Sequence, residues 1–501
     1  MMHFRIKFLL PFLLITTTLS QCNQLNSQNG KNDDLLLLLG VYSIFGANCV
    51  TGPDLWARDL RTQSSVCVPV ELVSSGNFIE VYKEKSLSTN FNLIQFAKDF
   101  DTITYPRLVE TFGIPSDVDG DGKVKILVMD IKDGATSNSA YVAGYFDPIN
   151  YFPDNFLQRV RSNFAEVLYL DGRELIAANS KDPNAFASTA AHEFQHLLRF
   201  PKMYDSNHSD ELWINEGTSE VASDIAGFGP QTSRLDCYSG VNDSRCNDGI
   251  NGVSLLDWNN NAEVLKQYSF AYVFMRYLYD ISGTTDSERQ QFFRNTVVGT
   301  GGTRANSTGN LISIFKSSPN FDSTRLTSNN SDIFFRLFTL LTAQSFNINN
   351  VSSVQQVTAD GQAPNTIDLT AALAKYPLPA SLNRLIIYPV SPTTAKSSIK
   401  QGAANFYTTN TPAISASSSR KNQGRITGVT QGIVLWADSP QGLNANLKFT
   451  PGKDDVPIQN PSKPRSLKSV IQESSPYGAI PICGIEFTND LAHTYESIPI
   501  E

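Results

Sequence analysis

Residues 188–200 read STAAHEFQHLLRF and hold two of the five histidines in this chain of 501 residues. His192 and His196 are four positions apart, so on a helix both imidazoles lie on one face and can reach one metal ion. Glu193 directly follows the first histidine, where its carboxylate can take a proton from a metal-activated water. The stretch therefore predicts a zinc-binding helix with Glu193 as general base. The alternative is a pair of histidines that share the face of a buried helix without a metal.

A third ligand separates these alternatives, since a catalytic zinc ion takes three protein ligands and keeps one position open. Residues 210–227 (DELWINEGTSEVASDIAG) predict an amphipathic helix on which Glu216 and Glu220 are neighbours, four positions apart. One of these carboxylates can bind the ion while the other accepts the ring N–H of a ligand histidine. Gly217 lacks a side chain, which is expected to let this helix approach the histidine helix closely.

The sequence NEGTSE, which contains both glutamates, resembles the NExxx(D/E) signature of the gluzincin metallopeptidases. The resemblance implies that Glu216 is the third zinc ligand, with nineteen residues between it and His196, and that Glu220 orients His192. His208, in the polar stretch DSNHSD, is the weaker alternative ligand. A metzincin would instead need a histidine six positions after His196, where this chain has a lysine.

The stretch LWINEG is similar to the WLNEG sequence of the aminopeptidase branch of the gluzincins. Gluzincins use a tyrosine or histidine to stabilise the oxyanion, and the resemblance implies Tyr268, which opens the helical stretch YSFAYVFMRYLYD, as the candidate. The alternative role of Tyr268 is packing, because the tyrosines of this stretch form an aromatic stripe typical of a core helix.

Several stretches together resemble the hyicolysin family of bacterial metallopeptidases. They lie within residues 77–300 and read FDTITYPRLVETFGIPSDVDGDGKVKILVMDI, YVAGYFDP, AEVLYLD, AHEFQHLLRF, ELWINEG and YSFAYVFMRYLYDISG. The resemblance implies a zincin-like fold, in which a mixed sheet packs on the HExxH helix. An edge strand of that sheet would pair with an extended substrate, and AGYFDP and AEVLYLD are the two candidates for it.

The order of the elements predicts an α+β fold. Strand patterns dominate up to AEVLYLD, helical patterns follow as far as residue 346, and short apolar alternations separated by turn residues come last. The last part predicts a β-rich domain of sandwich type. The predicted organisation is a signal peptide (1–21), an anchor tether and N-terminal segment (22–76), a zincin-like metallopeptidase domain (77–350) and a C-terminal β-rich domain (376–501).

The N-terminus has the composition of an export signal. Arg5 and Lys7 precede the apolar run FLLPFLLI, which is too short to span a bilayer. The sequence LSQC, ending at Cys22, resembles a bacterial lipobox and implies a lipidated cysteine at the cell envelope or cell surface. Gln21 departs from the small residue of that motif, so secretion without an anchor is the alternative. Membrane contact is expected through this anchor only.

The net charge restricts the class of partner, and the cysteine positions indicate which disulfides can form. A net charge of −8 argues against a nucleic-acid partner, which would favour a basic surface, and leaves a protein or peptide substrate as the expectation. Export permits disulfides, and local pairing predicts Cys49–Cys67 and Cys237–Cys246, with Cys483 left over. The sequence gives no oligomeric state.

The stretch DVDGDGK resembles the beginning of a calcium loop. Asp117, Asp119 and Asp121 stand at alternate positions, as calcium ligands do in EF-hands. The twelfth position is a valine and a strand follows, so the stretch is not an EF-hand. Two interpretations remain, a calcium loop completed by Asp130 or Asp133 and an acidic turn that leads into a strand.

The leading functional hypothesis is a zinc-dependent endopeptidase of gluzincin type, with Zn²⁺ and a candidate Ca²⁺ as cofactors. A second hypothesis is a surface-anchored binding or adhesion lipoprotein with a structural zinc site. Such a site would have no need of Glu193 beside an open coordination position. A third hypothesis is an aminopeptidase, but the sequence lacks the GxMEN-like stretch that would hold a free amino terminus.

Overall fold

The structure is a computed structural model, and the residues that it describes form a mixed α+β fold. They are residues 54–62, 64–135, 141–154, 161–205, 210–258, 263–326, 330–345, 353–357, 365–368, 370–388, 402–406, 423–427 and 435–438. Along them, a five-stranded mixed sheet is followed by a run of helices and then by a second five-stranded sheet. The α+β prediction is therefore confirmed.

Twelve strands are found among the described residues. They are β1 (Leu55–Asp59), β2 (Ser64–Val68), β3 (Val70–Ser75), β4 (Ile79–Glu84), β5 (Val124–Met129), β6 (Gly144–Phe146), β7 (Glu166–Asp171), β8 (Ser353–Val357), β9 (Asn365–Asp368), β10 (Ala404–Phe406), β11 (Gln423–Thr427) and β12 (Leu435–Asp438).

The first sheet has the order β3-β4-β5-β7-β6. Its central strands β4, β5 and β7 are parallel, whereas β3 and β6 are antiparallel to their neighbours. Strands β5 (VKILVM) and β7 (EVLYLD) are buried along nearly their whole length, as their near-continuous apolar sequences lead one to expect for strands covered on both faces.

Strand β6 forms one edge of the first sheet. Of the two stretches considered for the edge strand, AGYFDP supplies it and AEVLYLD forms the interior strand β7. A Cβ on Gly144 would lie 2.9 Å from Thr189 Cγ2, so the glycine lets this edge strand pass close to the helix that carries the two histidines.

Strand β3 lies upstream of residue 77 and still pairs with β4. Its residues VELVSS are mixed in polarity and, apart from Val70, are exposed or partly exposed. They therefore form no clear apolar pattern, and the sheet begins earlier in the chain than the sequence predicts. Strands β1 and β2 form an antiparallel pair that packs on the other face of the sheet through a second hydrophobic cluster. The domain limits themselves stay a prediction.

The helices of the described residues are α1 (Leu93–Asp99), α2 (Tyr105–Phe112), α3 (Glu174–Ala178), α4 (Ala185–Asp205), α5 (Leu212–Ala226), α6 (Thr232–Ser239), α7 (Val264–Ser282), α8 (Asp286–Val297), α9 (Thr308–Phe315), α10 (Ser323–Leu326), α11 (Asn330–Ser345) and α12 (Thr370–Lys375). A π-helical turn over Phe100–Thr104 joins α1 and α2.

Capping side chains and glycine determine where several helices begin or end. Helix α8 begins with a capping box between Thr285 and Glu288, and α5 ends at Gly227, whose φ of 110° is readily adopted by glycine. Helix α4 extends beyond the quoted stretch, through Pro201 to Asp205, although proline normally interrupts a helix.

The second sheet has the order β10-β12-β11-β8-β9 and is antiparallel throughout. It begins at Ser353, so β-structure starts before residue 376. The described residues form one sheet here, and residues 439–501 lie outside them, so the sandwich stays a prediction. None of the described helices is long and apolar enough to cross a membrane.

Candidate metal centre

Helix α4 carries both histidines and Glu193. Phe194, Leu197 and Leu198 lie in the main hydrophobic core, as expected for the buried side of this helix. His192 and His196 are also almost completely buried, yet their Nε2 atoms lie only 3.0 Å apart. Two imidazoles that direct nitrogen atoms at one point can bind a single metal ion there.

Helix α5 brings a carboxylate to the same point. Glu216 Oε2 lies 3.4 Å from His192 Nε2 and 3.5 Å from His196 Nε2. Two ligand atoms on a tetrahedral zinc ion with bonds of about 2.0–2.1 Å are separated by about 3.3 Å. The three donor atoms, with mutual distances of 3.0–3.5 Å, therefore already have the spacing of one face of such a site.

The ionisation of these ligands suits a metal. Burial, partly offset by the Glu216 carboxylate, lowers the pKa of His192 and favours the neutral imidazole that a metal needs. Burial opposes ionisation of Glu216, but His196 and His192 outweigh it and hold the pKa of that carboxyl well below its usual range. His192 is therefore suited to act as a neutral nitrogen ligand, and Glu216 as an anionic oxygen ligand.

Glu193 lies beside the three ligands and differs from Glu216 in its protonation. Burial, partly offset by His196, raises the pKa of Glu193 to about 8. Its Oε2 atom is buried and receives no hydrogen bond from any residue that the structure describes. A carboxyl group with a pKa near neutrality and an unused oxygen can accept and return a proton.

The second imidazole is held by side chains of α5. The His196 Nδ1 atom lies 3.2 Å from Asn215 Oδ1 and 3.1 Å from Ser219 Oγ. Ser219 also donates a hydrogen bond to the Gln195 side chain. Contacts of this kind fix the ring orientation of a metal ligand. Neither Ser219 nor Gln195 was predicted as a site residue, although both lie within the quoted stretches.

The first imidazole faces Glu220. Oε1 of this glutamate is 3.6 Å from His192 Nδ1, which is longer than a hydrogen bond. Arg234, on helix α6, binds the Glu220 carboxylate with two hydrogen bonds of 2.8 and 3.2 Å. Arg234 was not predicted as a site residue, because it lies in no recognisable motif.

Gly217 does allow a close approach between helices, but the prediction that its neighbour is the histidine helix is wrong. A Cβ at this position would lie 2.9 Å from the main-chain oxygen of Ala271 and 3.1 Å from Met275 Cβ, both on α7. The contact with α4 is made by side chains instead, including a hydrogen bond of 2.9 Å from Ser223 Oγ to the Ser188 carbonyl.

Tyr268 is buried near the beginning of α7. Its ring packs on Trp258 with a centroid distance of 5.2 Å, and the guanidinium carbon of Arg234 lies 5.2 Å from the ring centroid. Tyr268 thus contacts the arginine that binds Glu220. This burial agrees with a packing role, and the oxyanion role stays a prediction.

The three aspartates of the candidate calcium loop do lie together and are exposed. Lys125 Nζ lies 2.6 Å from Asp119 Oδ2 and 2.5 Å from Asp121 Oδ2, so an ammonium group already neutralises part of the charge. Calcium binding by Asp117, Asp119 and Asp121 stays a prediction.

Completion of that loop by Asp130 or Asp133 is wrong. Strand β5 lies between the loop and these residues, and six extended residues span about 20 Å. Asp133 instead accepts hydrogen bonds from the main-chain N–H groups of Ala135 and Val142. Asp130 pairs with Lys132 Nζ at 2.6 Å.

A further cluster of carboxylates, which no sequence motif predicted, consists of Asp130, Asp171 and Glu174. Asp130 follows β5 and Asp171 ends β7, so the carboxyl ends of two adjacent parallel strands bring these groups together. Arg173 lies within 3.5 Å of Asp130 and 3.8 Å of Glu174. Basic side chains therefore already offset part of the charge of this group.

The cysteine predictions are met in part. Cys237 and Cys246 form a disulfide, as local pairing predicted. Cys67 is also disulfide-bonded, while its expected partner Cys49 lies outside the described residues. Three further residues named in the predictions, Cys22, His208 and Cys483, lie outside the described residues as well.

Comparison with known proteins supports a metallopeptidase family. No protein-family profile matches the sequence. The chain is 30% identical over 225 residues to the neutral metalloprotease ShpI of Staphylococcus hyicus, a match that covers 44% of this chain and 49% of that protein. The chain thus spans about half the length of this curated relative.

Proposed function

We propose that this protein is a zinc-dependent endopeptidase. The observation that supports this most is the convergence of His192, His196 and Glu216 on one point, with donor atoms 3.0–3.5 Å apart. Two imidazoles and one carboxylate form a ligand set of catalytic zinc sites. The similarity to a neutral metalloprotease supports peptide hydrolysis in general, and the finer assignment rests on the site.

Zinc held by these three ligands would supply Lewis acidity toward the peptide carbonyl and the attacking water. Glu193 takes a proton from that water and passes it to the leaving amine. Its buried position suits both steps, since burial raises the pKa of this carboxyl to about 8, close to the pH at which it must alternate between two protonation states.

Strand β6 would orient the substrate. It is an edge strand of the first sheet among the described residues and runs beside α4, so its side away from β7 is where an extended peptide would pair through main-chain hydrogen bonds. Tyr268 would donate a hydrogen bond to the oxyanion. A peptide that pairs with such a strand can extend on both sides of the scissile bond, which favours an endopeptidase.

Two other functions remain as alternatives. An aminopeptidase of the same clan would need a site for a free amino terminus, and a panel of peptides with free and blocked termini separates the two specificities. A binding lipoprotein with a structural metal would leave Glu193 without a role, although this buried carboxylate lies directly beside the ligands.

Export is part of the same proposal. We propose a lipid anchor at Cys22 and a location at the bacterial cell envelope or cell surface, with secretion lacking an anchor as the alternative. The mass of the mature N-terminus distinguishes a lipidated cysteine from an ordinary cleaved end. A protein or peptide substrate outside the cytoplasm fits either case.

The variant Glu193→Gln tests the proposed function. We expect it to keep its zinc and to lose peptide hydrolysis by a factor of about 10²–10⁴, because the amide cannot accept the proton of water. Zinc content by elemental analysis and turnover of a quenched fluorescent peptide are the two measurements. Glu166→Gln is the matched control, since Glu166 is equally buried but hydrogen-bonds to the main chain of Val118. Undiminished hydrolysis by Glu193→Gln would refute the mechanism.

A further inference from the structure

Arg234 is buried beside the candidate metal centre and makes a two-point ion pair. Its Nη2 and Nε atoms donate to Glu220 at 2.8 and 3.2 Å, and both side chains are almost completely inaccessible to solvent. The planar guanidinium group matches both carboxylate oxygens, which fixes the carboxylate plane as well as its position.

The Glu220 oxygen that accepts the shorter of these two hydrogen bonds also faces a metal ligand. Oε1 lies 2.8 Å from Arg234 Nη2 and 3.6 Å from His192 Nδ1. His192 presents its other nitrogen, Nε2, to His196 and Glu216. A negative oxygen on the Nδ1 side favours a proton on Nδ1 and therefore a lone pair on Nε2, where a metal needs it.

The place of Arg234 is itself fixed by its surroundings. Gln231, just before helix α6, donates from Nε2 to the main-chain oxygen of Glu220 at 2.7 Å. The Cys237–Cys246 disulfide holds the other half of α6. The Tyr268 ring lies against the guanidinium group. Helix α6 is thus attached to α5 at the level of Glu220.

We propose that Arg234 is a positioning residue for the metal centre, which acts through Glu220 on the orientation and tautomer of His192. Loss of the guanidinium group would remove both hydrogen bonds that hold the Glu220 carboxylate, so its Oε1 atom would no longer be kept beside His192 Nδ1. The orientation and tautomer of His192 would then be less firmly fixed, and the site would bind its metal more weakly.

This inference rests on the proposed function only in so far as zinc is the ion bound. The inference concerns the affinity of the site for zinc, which can be measured without peptide hydrolysis. The quantity to compare is the dissociation constant for zinc, from titration against a competing chromophoric chelator, for the full-length protein and its variants.

Arg234→Lys keeps the charge but cannot reproduce the two-point contact, and Arg234→Met removes the charge. We expect zinc affinity to fall about tenfold in the first and up to about 100-fold in the second, the range found when groups behind a metal ligand are lost. In a Glu220→Gln background, the same substitutions of Arg234 should have little further effect, because the residue through which Arg234 acts is already changed.

Arg276→Lys is the matched control. Arg276 is likewise a largely buried arginine that pairs with an acidic residue of α5, Asp224, at 2.8 Å, and it also binds Asp280. Its substitution should lower stability without changing zinc affinity. Far-ultraviolet circular dichroism identifies any variant that fails to fold. If Arg234→Met fails to fold, the milder substitution Arg234→Lys still tests the proposal.

The outcomes separate the two claims. Zinc affinity of Arg234→Lys equal to that of the wild type or of Arg276→Lys would overturn the positioning role and leave the proposed function intact. A full additional loss on changing Arg234 in the Glu220→Gln background would also overturn it, since Arg234 would then act by another route. A wild-type protein that binds no zinc would overturn both.

Discussion

Side chains of the same type have different protonation states at the candidate centre because their neighbours differ. Glu193 and Glu216 are both buried, but the pKa of Glu193 is raised by burial, whereas the histidines beside Glu216 lower its pKa. One carboxyl is therefore suited to carry a proton and the other to bind a cation. The division of roles follows from position, since both residues are glutamates.

Tyr268 offers a test of the oxyanion role at the level of one atom. The variant Tyr268→Phe removes only the hydroxyl group and keeps the ring contacts with Trp258 and Arg234. If the hydroxyl stabilises the transition state, kcat should fall about 10²-fold or more with little change in KM or zinc content. Steady-state kinetics on a peptide substrate measure this. An unchanged kcat would assign Tyr268 to packing alone.

Helix geometry relates three of the residues that the sequence predicts, whereas Glu216, on another helix, is predicted only from its resemblance to a family signature. His192, Glu193 and His196 lie within one turn and a half of one helix, so their spacing fixes their arrangement. Arg234 is 14 positions away from Glu220 and on another helix, and its ion pair depends on how two helices pack. The error at Asp130 and Asp133 has the opposite cause, since residues near in sequence were separated by an extended strand.

At the scale of elements, helix α5 is held between two neighbours. Gln195 on α4 donates to Thr218 at 3.2 Å, and Gly217 on the adjoining face of α5 allows α7 to approach. Glu216 directly precedes Gly217 and Thr218 on α5. The position of the third ligand therefore depends on the packing of all three helices.

Gly217→Ala tests this packing. The added Cβ would come within 2.9 Å of the main-chain oxygen of Ala271, which cannot rotate away. Overpacking costs about 1–3 kcal/mol, while alanine favours the helix by about 1 kcal/mol over glycine. We expect overpacking to dominate, so Tm falls and zinc affinity decreases as Glu216 is displaced. A rise in Tm would show that helix propensity outweighs the steric conflict.

Which elements could be predicted depends on their length and on how much apolar surface they bury. The long helices α4, α5 and α7 all contain the stretches that were predicted to be helical. Strand β6 has three residues, too few for a pattern to mark it as the edge strand. The mostly exposed strand β3 has too little apolar surface to give a signal, although its pairing with β4 completes the sheet.

At the scale of the whole molecule, the two sheets are not related to the candidate centre in the same way. The first sheet packs directly on α4. The second sheet reaches the helical part through β10, where Ala404 accepts a hydrogen bond of 2.7 Å from the main chain of Gly252 and Phe406 lies in the main core. A separate C-terminal domain was predicted from composition, which gives no information on such contacts.

The proposed function requires that His192, His196 and Glu216 hold one zinc ion. Elemental analysis of metal per chain, on protein dialysed free of loosely bound ions, measures this binding. We expect about one zinc per chain in the wild type and almost none in His196→Ala, because a site reduced to two protein ligands loses most of its affinity. A wild type without zinc that still hydrolyses peptides would contradict the account, as would a His196→Ala variant that retains its full zinc content.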